Sequence, residues 1–290
     1  MKPPPFSYYT PASVQEAVAL LGSLDNARVL AGGQSLLPML NMRFATPDHV
    51  IDINRIPELS GIAIRDGEVV IGAMTRQRDL EFSPLIREHL PLMSEALQFV
   101  GHRQTRNRGT IGGSLCHLDP AAELPCIAAA YDAVVDVVSD SGRREISFAE
   151  FPLGYLTPSL EPGEMVQAIR FPLWPTHSSA SFVEFARRHG DFAIVSAGAL
   201  VAMDADGAVA RISLTLGGVG SGPMRMHDVE SALIGKPLDV QAIKNAADAC
   251  GAIDIDDDPY TPPHYRKHLC RTLVSRALEA AASRAKGGRS

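Results

Sequence analysis

Apolar and polar positions along the chain fall into blocks whose spacing switches between helical and strand-like. Ser13 followed by Glu16, ahead of Ala17, Leu20 and Leu21, is a capping-box pattern and predicts a short amphipathic helix over about 13–23. RVLAGG (28–33) reads as a buried strand ending on Gly32-Gly33, and the run SLLPMLNMRF after it is apolar enough to pack down but is interrupted by Pro38. HVIDI (49–53) predicts a second strand, making residues up to about 57 a small α/β unit. From Gly61 two short alternating segments meet at Asp66-Gly67, a hairpin dipeptide. A helix is expected from Pro84 to Val100, with Leu85, Leu92, Met93, Ala96 and Leu97 on one face. The polar stretch HRQTRNRGTIGGS (102–114) follows, then a helix around Ala121–Tyr131 and strands near 133–139 and 165–171.

PLWPTHSSAS (172–181) is the best candidate linker. After it, SFVEFA, AIVSAGALVAM and VARISLTLGG predict three strands, with a turn at Asp204–Gly207 between the last two. Helices are expected over about 229–234, 240–250 and 262–285, so this part reads as a sheet with helices on one face. No internal repeat or low-complexity tract interrupts the pattern.

Composition narrows the function classes. Of 290 residues, 27 are Lys or Arg and 33 are Asp or Glu, a formal charge of −6, which argues against a nucleic-acid binder. A hydrophobic fraction of 46% with 21% charged residues is that of an ordinary globular protein, and the length suggests about two domains. The longest apolar stretch, Ala193–Met203, is broken by Ser196 and falls short of the roughly 20 residues a membrane span needs. MKPPPFSYYT has no apolar signal region, and Cys116, Cys126, Cys250 and Cys270 lie far apart without a CxxC pair. Both features point to reduced thiols in the cytoplasm and to no resident iron–sulfur or zinc site, so any electron-transfer cofactor must be borrowed.

Two glycine pairs stand out, Ala31-Gly32-Gly33-Gln34-Ser35-Leu36 and Thr110-Ile111-Gly112-Gly113-Ser114. Glycines flanked by hydroxyls let backbone N–H groups approach a diphosphate, and two such segments would suit a dinucleotide gripped between two lobes; either alone would read as a turn. Arg103, Arg106 and Arg108, just before the second pair, could meet a phosphate or an acidic partner, or form a solvated turn.

These residues carry a family resemblance. AGGQSLLPMLNMRF with the DIN of 52–54, and RNRGTIGGSLCHLDPAAELP, resemble the two FAD-binding segments of the flavin subunits of molybdenum hydroxylases. That family spans the medium subunits of carbon monoxide dehydrogenase-type and nicotine dehydrogenase-type enzymes and the FAD domain of xanthine dehydrogenase. An opening F-x-Y-x-x-P-x-S (Phe6, Tyr8, Pro11, Ser13), FARRHGDFA (185–193) and GGVGSGPMR (217–225) extend the likeness over nearly the whole chain. The resemblance implies an α+β fold: a bilobed PCMH-type FAD-binding domain over 1–176, with subdomains of about 1–57 and 58–176, and a smaller C-terminal domain over 177–290 with a three-stranded antiparallel sheet and helices. It implies that Ala31, Gly32, Gly33, Gln34, Ser35 and Leu36 form the first FAD loop and Thr110, Ile111, Gly112, Gly113 and Ser114 the second. Glu123, Val166, Asp191 and Phe192 are further FAD positions on the same basis. The family often has Asn where Ser114 stands, and xanthine dehydrogenases have Asp at the position of Glu123 and a flavin-contacting Lys where Val183 stands.

The function so implied is an FAD-containing electron-transfer subunit. A large molybdopterin-binding subunit and a small subunit with two 2Fe-2S clusters are the expected partners, in a dimer of heterotrimers. No side chain of this chain need be catalytic and none need bind a metal. The alternative is a self-sufficient PCMH-type flavin oxidase acting on its own small-molecule substrate. Other motifs point nowhere firm: GGVGSGP places Pro223 where a dinucleotide fingerprint needs glycine, His264 and His268 lack a third zinc ligand, and the run Asp254–Asp258 lacks the glycine of a calcium loop.

Overall fold

The computed structural model describes residues 1–287; the last three positions of the expected C-terminal domain, 288–290, lie outside the described residues. The chain begins β1 (Ser7–Tyr9), α1 (Val14–Ser23), β2 (Ala27–Leu30), α2 (Leu36–Asn41), β3 (His49–Asp52), β4 (Ile62–Arg65), β5 (Glu68–Gly72) and α3 (Gln77–Phe82). It continues α4 (Pro84–His89), α5 (Pro91–Ala96), α6 (Arg103–Arg108), α7 (Ile111–His117), α8 (Glu123–Ala130), β6 (Val134–Ser139), β7 (Gly142–Ser147), β8 (Pro152–Gly154), β9 (Thr157–Pro158) and β10 (Met165–Pro172). It ends β11 (Ser179–Phe185), β12 (Val195–Met203), β13 (Val209–Gly217), β14 (Met224–Arg225), α9 (His227–Leu233), α10 (Val240–Cys250) and α11 (Pro263–Gly287). Two compact units interleave along the sequence: residues 1–83, 102–118 and 133–172 form the first, and 84–101, 119–132 and the chain from Leu173 form the second.

In the first unit, β3 lies between β1 and β2, parallel to both. The Ser13 cap forms as expected: its Oγ accepts from Glu16 N at 3.2 Å, while Glu16 Oε2 accepts from Ala12 N at 2.8 Å. That fixes the start of α1, which buries Ala17 and Val18 in a cluster with Ile51, Ile53, Val138 and Met165. The second sheet has the order β4-β5-β10-β6-β7. Its first hairpin turns through Asp66 and Gly67, both at positive φ (51° and 81°), as the dipeptide predicts. β7, GRREIS, was not expected; only its Ile146 is buried, so it carries no alternating apolar signal.

The second unit has an antiparallel sheet, β11-β12-β13-β14, in which a two-residue fourth strand joins the three expected ones. The sheet is covered on both faces, not one. Leu214 and Leu216 of β13 join the core made with α9, α10 and α11, whereas Ser213 on the opposite face donates to Ala130 O of α8 at 2.7 Å. Burial on both faces accounts for the nearly continuous apolar run of β12, which only Ser196 interrupts. The helix expected over 84–100 is two helices: Pro91 cannot donate, and Leu90 leaves the helical region (φ −128°, ψ 58°) between α4 and α5.

Candidate functional site

The first glycine segment leaves β2 and turns through Gly33, whose φ of +74° glycine alone adopts freely. α2 then starts at Leu36, and Pro38 falls in its first turn, where its missing N–H leaves no intrahelical bond unmade. Among the described residues, the five successive N–H groups from Gly32 to Leu36 have no acceptor. Ser35 makes no capping bond, and Gln34 folds back so that its Nε2 donates to Gly32 O at 3.3 Å. A run of unpaired backbone donors of this kind can receive an anion.

The second segment is not the expected loop. Thr110 caps α7, and Ile111, Gly112, Gly113 and Ser114 form its first turn. Thr110 Oγ1 accepts from Gly113 N at 3.1 Å and Thr110 O from Ser114 N at 3.1 Å. Ile111 N donates to Thr75 O at 3.2 Å and Gly112 N to Ala73 O at 2.9 Å. All four N–H groups are occupied, and the pair is closely packed: a Cβ on Gly112 would stand 2.6 Å from Ala73 Cβ and 2.8 Å from Ala73 O.

Close packing also brings the two segments together. A Cβ on Gly32 would lie 2.2 Å from Arg108 O and 2.9 Å from Gly109 Cα, and one on Gly113 would lie 3.5 Å from Ala31 Cβ. A polar network locks this contact. Asn54 Nδ2 donates to Ala31 O at 2.8 Å and to Asp52 Oδ1 at 2.6 Å, and Asn54 Oδ1 accepts from Arg76 Nη2 at 2.6 Å. Arg76 Nη1 donates to Arg108 O at 2.5 Å, and Tyr8 OH donates to Asp52. Burial opposes ionisation of Asp52, but hydrogen bonds from Tyr8 and Asn54 outweigh it and hold the carboxyl below its usual range. Burial, followed by the charge of Arg108, lowers Arg76. Tyr8 and the DIN of 52–54 stand in the sequence motifs; Arg76, alone between a hairpin and a helix, gives no pattern to detect.

Val166 lies on β10 of the same unit, where the register against β6 shifts between Val166 and Ala168. Gln167 O within that irregularity accepts from Ala73 N at 3.0 Å, so this stretch and Gly112 share Ala73 as a neighbour. Glu123, Asp191 and Phe192 belong to the second unit. Glu123 opens α8 and is 6% exposed, whereas Phe192, after the turn closed by Asp191 N donating to Arg188 O at 3.1 Å, is 62% exposed. Val183 packs against the core of the second unit. Gly218 of the GGVGSGP segment has φ +75°, and a Cβ there would meet Ile194 O at 2.5 Å, so it serves packing. Of the clustered arginines, Arg106 is buried and pairs with Glu81, its Nε 3.0 Å from Oε2 and its Nη2 3.2 Å from Oε1. Asp258 Oδ1 accepts from Tyr260 N and Thr261 N, both at 2.8 Å.

On β11 of the second unit, burial pushes the Glu184 carboxyl up to about 7, and its Oε2 has no partner among the described residues. An unfolded Glu releases its proton near pH 4.5 while the folded one keeps it to about 7, so stability falls as pH rises through that window. Glu184→Gln removes this loss: its thermal midpoint is expected to match wild type below the window and exceed it above. A difference that does not change with pH would contradict the assignment.

Among the described residues no helix is long and apolar enough to cross a membrane, and no group of three or more His, Cys, Asp or Glu could hold a metal ion. Residues 4–174 match the profile of the FAD binding domain in molybdopterin dehydrogenase, and residues 180–281 that of the CO dehydrogenase flavoprotein C-terminal domain. The chain is 42% identical over 288 residues to the 6-hydroxypseudooxynicotine dehydrogenase complex subunit alpha of Paenarthrobacter nicotinovorans, covering 99% of this chain and 97% of the relative. It is 41% identical over 287 residues to the carbon monoxide dehydrogenase medium chain of Hydrogenophaga pseudoflava, covering 98% and 99%. A solved carbon monoxide dehydrogenase from Hydrogenophaga pseudoflava superposes with a TM-score of 0.94 at 40% identity, over 98% of this chain and 99% of that one. Quinoline 2-oxidoreductase from Pseudomonas putida 86 superposes at 0.93 with 33% identity, over 98% and 99%.

Proposed function

The chain belongs to the family of FAD-binding subunits of molybdenum hydroxylases, and from that premise we propose that it takes electrons from 2Fe-2S clusters on a partner subunit and passes them to a terminal acceptor. The observation that carries this reading is the run of five free N–H groups at Gly32–Leu36, held against Arg108 and Gly109 by glycine packing and the Asn54–Arg76 network. The residues present fit FAD: five successive main-chain donors are left without a partner, and a diphosphate is the anion such donors receive. Bound there, FAD supplies the two-electron and one-electron redox chemistry that the protein's own side chains lack.

The residues of the chain then have binding and positioning roles. Gly32, Gly33, Gln34, Ser35 and Leu36, with Ala31, hold the diphosphate through main-chain donors. Thr110, Ile111, Gly112, Gly113 and Ser114 support that segment by packing, with Ser114 and Val166 as further contacts to the cofactor. Glu123, Asp191 and Phe192 are proposed as further cofactor contacts on the family resemblance. We take 1–176 as the FAD-binding domain and 177–290 as the C-terminal domain. The partners are a large molybdopterin-binding subunit and a small 2Fe-2S subunit, in a dimer of heterotrimers in the cytoplasm.

The visible spectrum tests the reading. The purified chain is expected to carry oxidised flavin that no small substrate bleaches until the molybdenum and iron–sulfur subunits are added. Bleaching by a small molecule without those subunits would favour a self-sufficient oxidase and overturn the electron-transfer role.

A further inference from the structure

Of the three clustered arginines, Arg106 is spent on Glu81 inside the first unit. Arg103 and Arg108 are exposed at the two ends of α6, and neither side chain has a hydrogen bond or ion pair among the described residues. Their backbones differ. The Arg108 carbonyl is pinned by Arg76 Nη1 and stands where a Cβ on Gly32 would clash, so the Arg108 main chain is fixed against the first glycine segment. Its charge also reaches the network beneath that segment: it contributes to lowering Asp52 and, after burial, to lowering Arg76.

The charge balance there is uneven. Asp52 is engaged by Tyr8 and Asn54, and Arg76 by Asn54 and the Arg108 carbonyl, which leaves the Arg76 and Arg108 guanidinium groups repelling one another in the network that ties down the segment with five unpaired N–H groups. Main-chain N–H groups give an anion hydrogen bonds but no net countercharge. A diphosphate carries two negative charges, so a cation with a free hydrogen-bonding fork completes the receptor.

We propose that the guanidinium of Arg108 is the countercharge for the diphosphate of bound FAD and positions it on the Gly32–Leu36 segment. This rests on the FAD reading above. The chain already holds the main-chain half of the receptor without Arg108; the guanidinium adds charge and orientation.

The test titrates the flavin-free full chain with FAD and with riboflavin, which has no phosphate, at low and high salt. Arg108→Gln is expected to weaken FAD about tenfold at low salt and to flatten the salt dependence of FAD binding, because the screened charge is gone. Arg108→Lys should keep the salt dependence with a smaller loss, and Arg103→Gln should behave as wild type. Riboflavin should bind wild type and Arg108→Gln alike. Wild-type FAD affinity and salt dependence in Arg108→Gln would overturn the proposal, as would an equal loss for riboflavin, which marks a purely structural role. A wild-type chain that takes up no FAD would overturn the FAD reading itself, and this inference with it.

Discussion

Gly32→Val is expected to leave the chain without flavin. A Cβ at this position would lie 2.2 Å from Arg108 O and 2.9 Å from both the Arg108 carbonyl carbon and Gly109 Cα, all backbone atoms that no rotamer change can move. The Arg108 carbonyl cannot retreat cheaply either, because it accepts from Arg76 Nη1, and Arg76 is tied through Asn54 to Ala31 O. Relief must come from prising the two glycine segments apart, which displaces the five unpaired N–H groups. Overpacking of this kind costs about 1–3 kcal/mol. Gly32 is not itself a member of the core around Ala17, Ile51 and Met165, against which only its neighbour Ala31 packs, so the fold should survive while the cofactor is lost. Gly33→Ala should be milder: its Cβ would meet the flexible Leu37 Cδ1 at 3.0 Å, and the cost is chiefly a left-handed backbone, about 1–2 kcal/mol. The flavin-to-protein ratio after purification, read beside the thermal midpoint of the flavin-free proteins, checks both. A Gly32→Val chain with full flavin would show that the contact between the segments does not shape the site.

This ranking could not be had from the sequence, where the two glycine pairs look equivalent. One lies in an open turn with free donors; the other lies inside a helix, where glycine is a poor residue, and is kept by its approach to Ala73. What local physics governs was legible: the Ser13 cap, the Asp66-Gly67 hairpin and the apolar strand β3 each depend on neighbours in sequence. Helix α6 was not legible, because RQTRNR has no apolar face and is held by the tertiary pair Arg106–Glu81. Strand β1 was missed for a similar reason, being three residues long and made a strand only by pairing with β3. Interleaving of the two units leaves no mark on composition, since α4, α5 and α8 are ordinary apolar helices whichever unit they join.

Arg170→Met is expected to be the most destabilising change on the first unit's larger sheet, about 2–3 kcal/mol near neutral pH. Arg170 stands on the central strand β10 and gathers carboxylates from three others: Nη1 is 2.9 Å from Glu68 Oε2 on β5, Nε 3.0 Å from Asp136 Oδ1 on β6, and Nη2 2.6 Å from Glu145 Oε2 on β7. Burial works against its charge, yet the hydrogen bonds it donates to Glu68 and Asp136, together with its pairing with Glu145, hold the guanidinium above its ordinary value. The figure stays below that of a fully buried pair because Glu145 is 68% exposed and water screens part of the interaction. Methionine fills similar space but leaves three acidic groups with no cation between them. Asp136 already sits above the usual carboxylate range, since burial outweighs the help of Arg170, and losing that help must raise it further. A carboxyl whose folded-state value is raised costs stability as pH climbs through the interval between its unfolded and folded values. The deficit of Arg170→Met should therefore be largest near neutral pH and shrink as the carboxyl groups protonate in acid. Urea unfolding of both proteins over that range decides the matter: a deficit that is constant with pH would assign the effect to lost packing by the arginine stem, not to the three carboxylates.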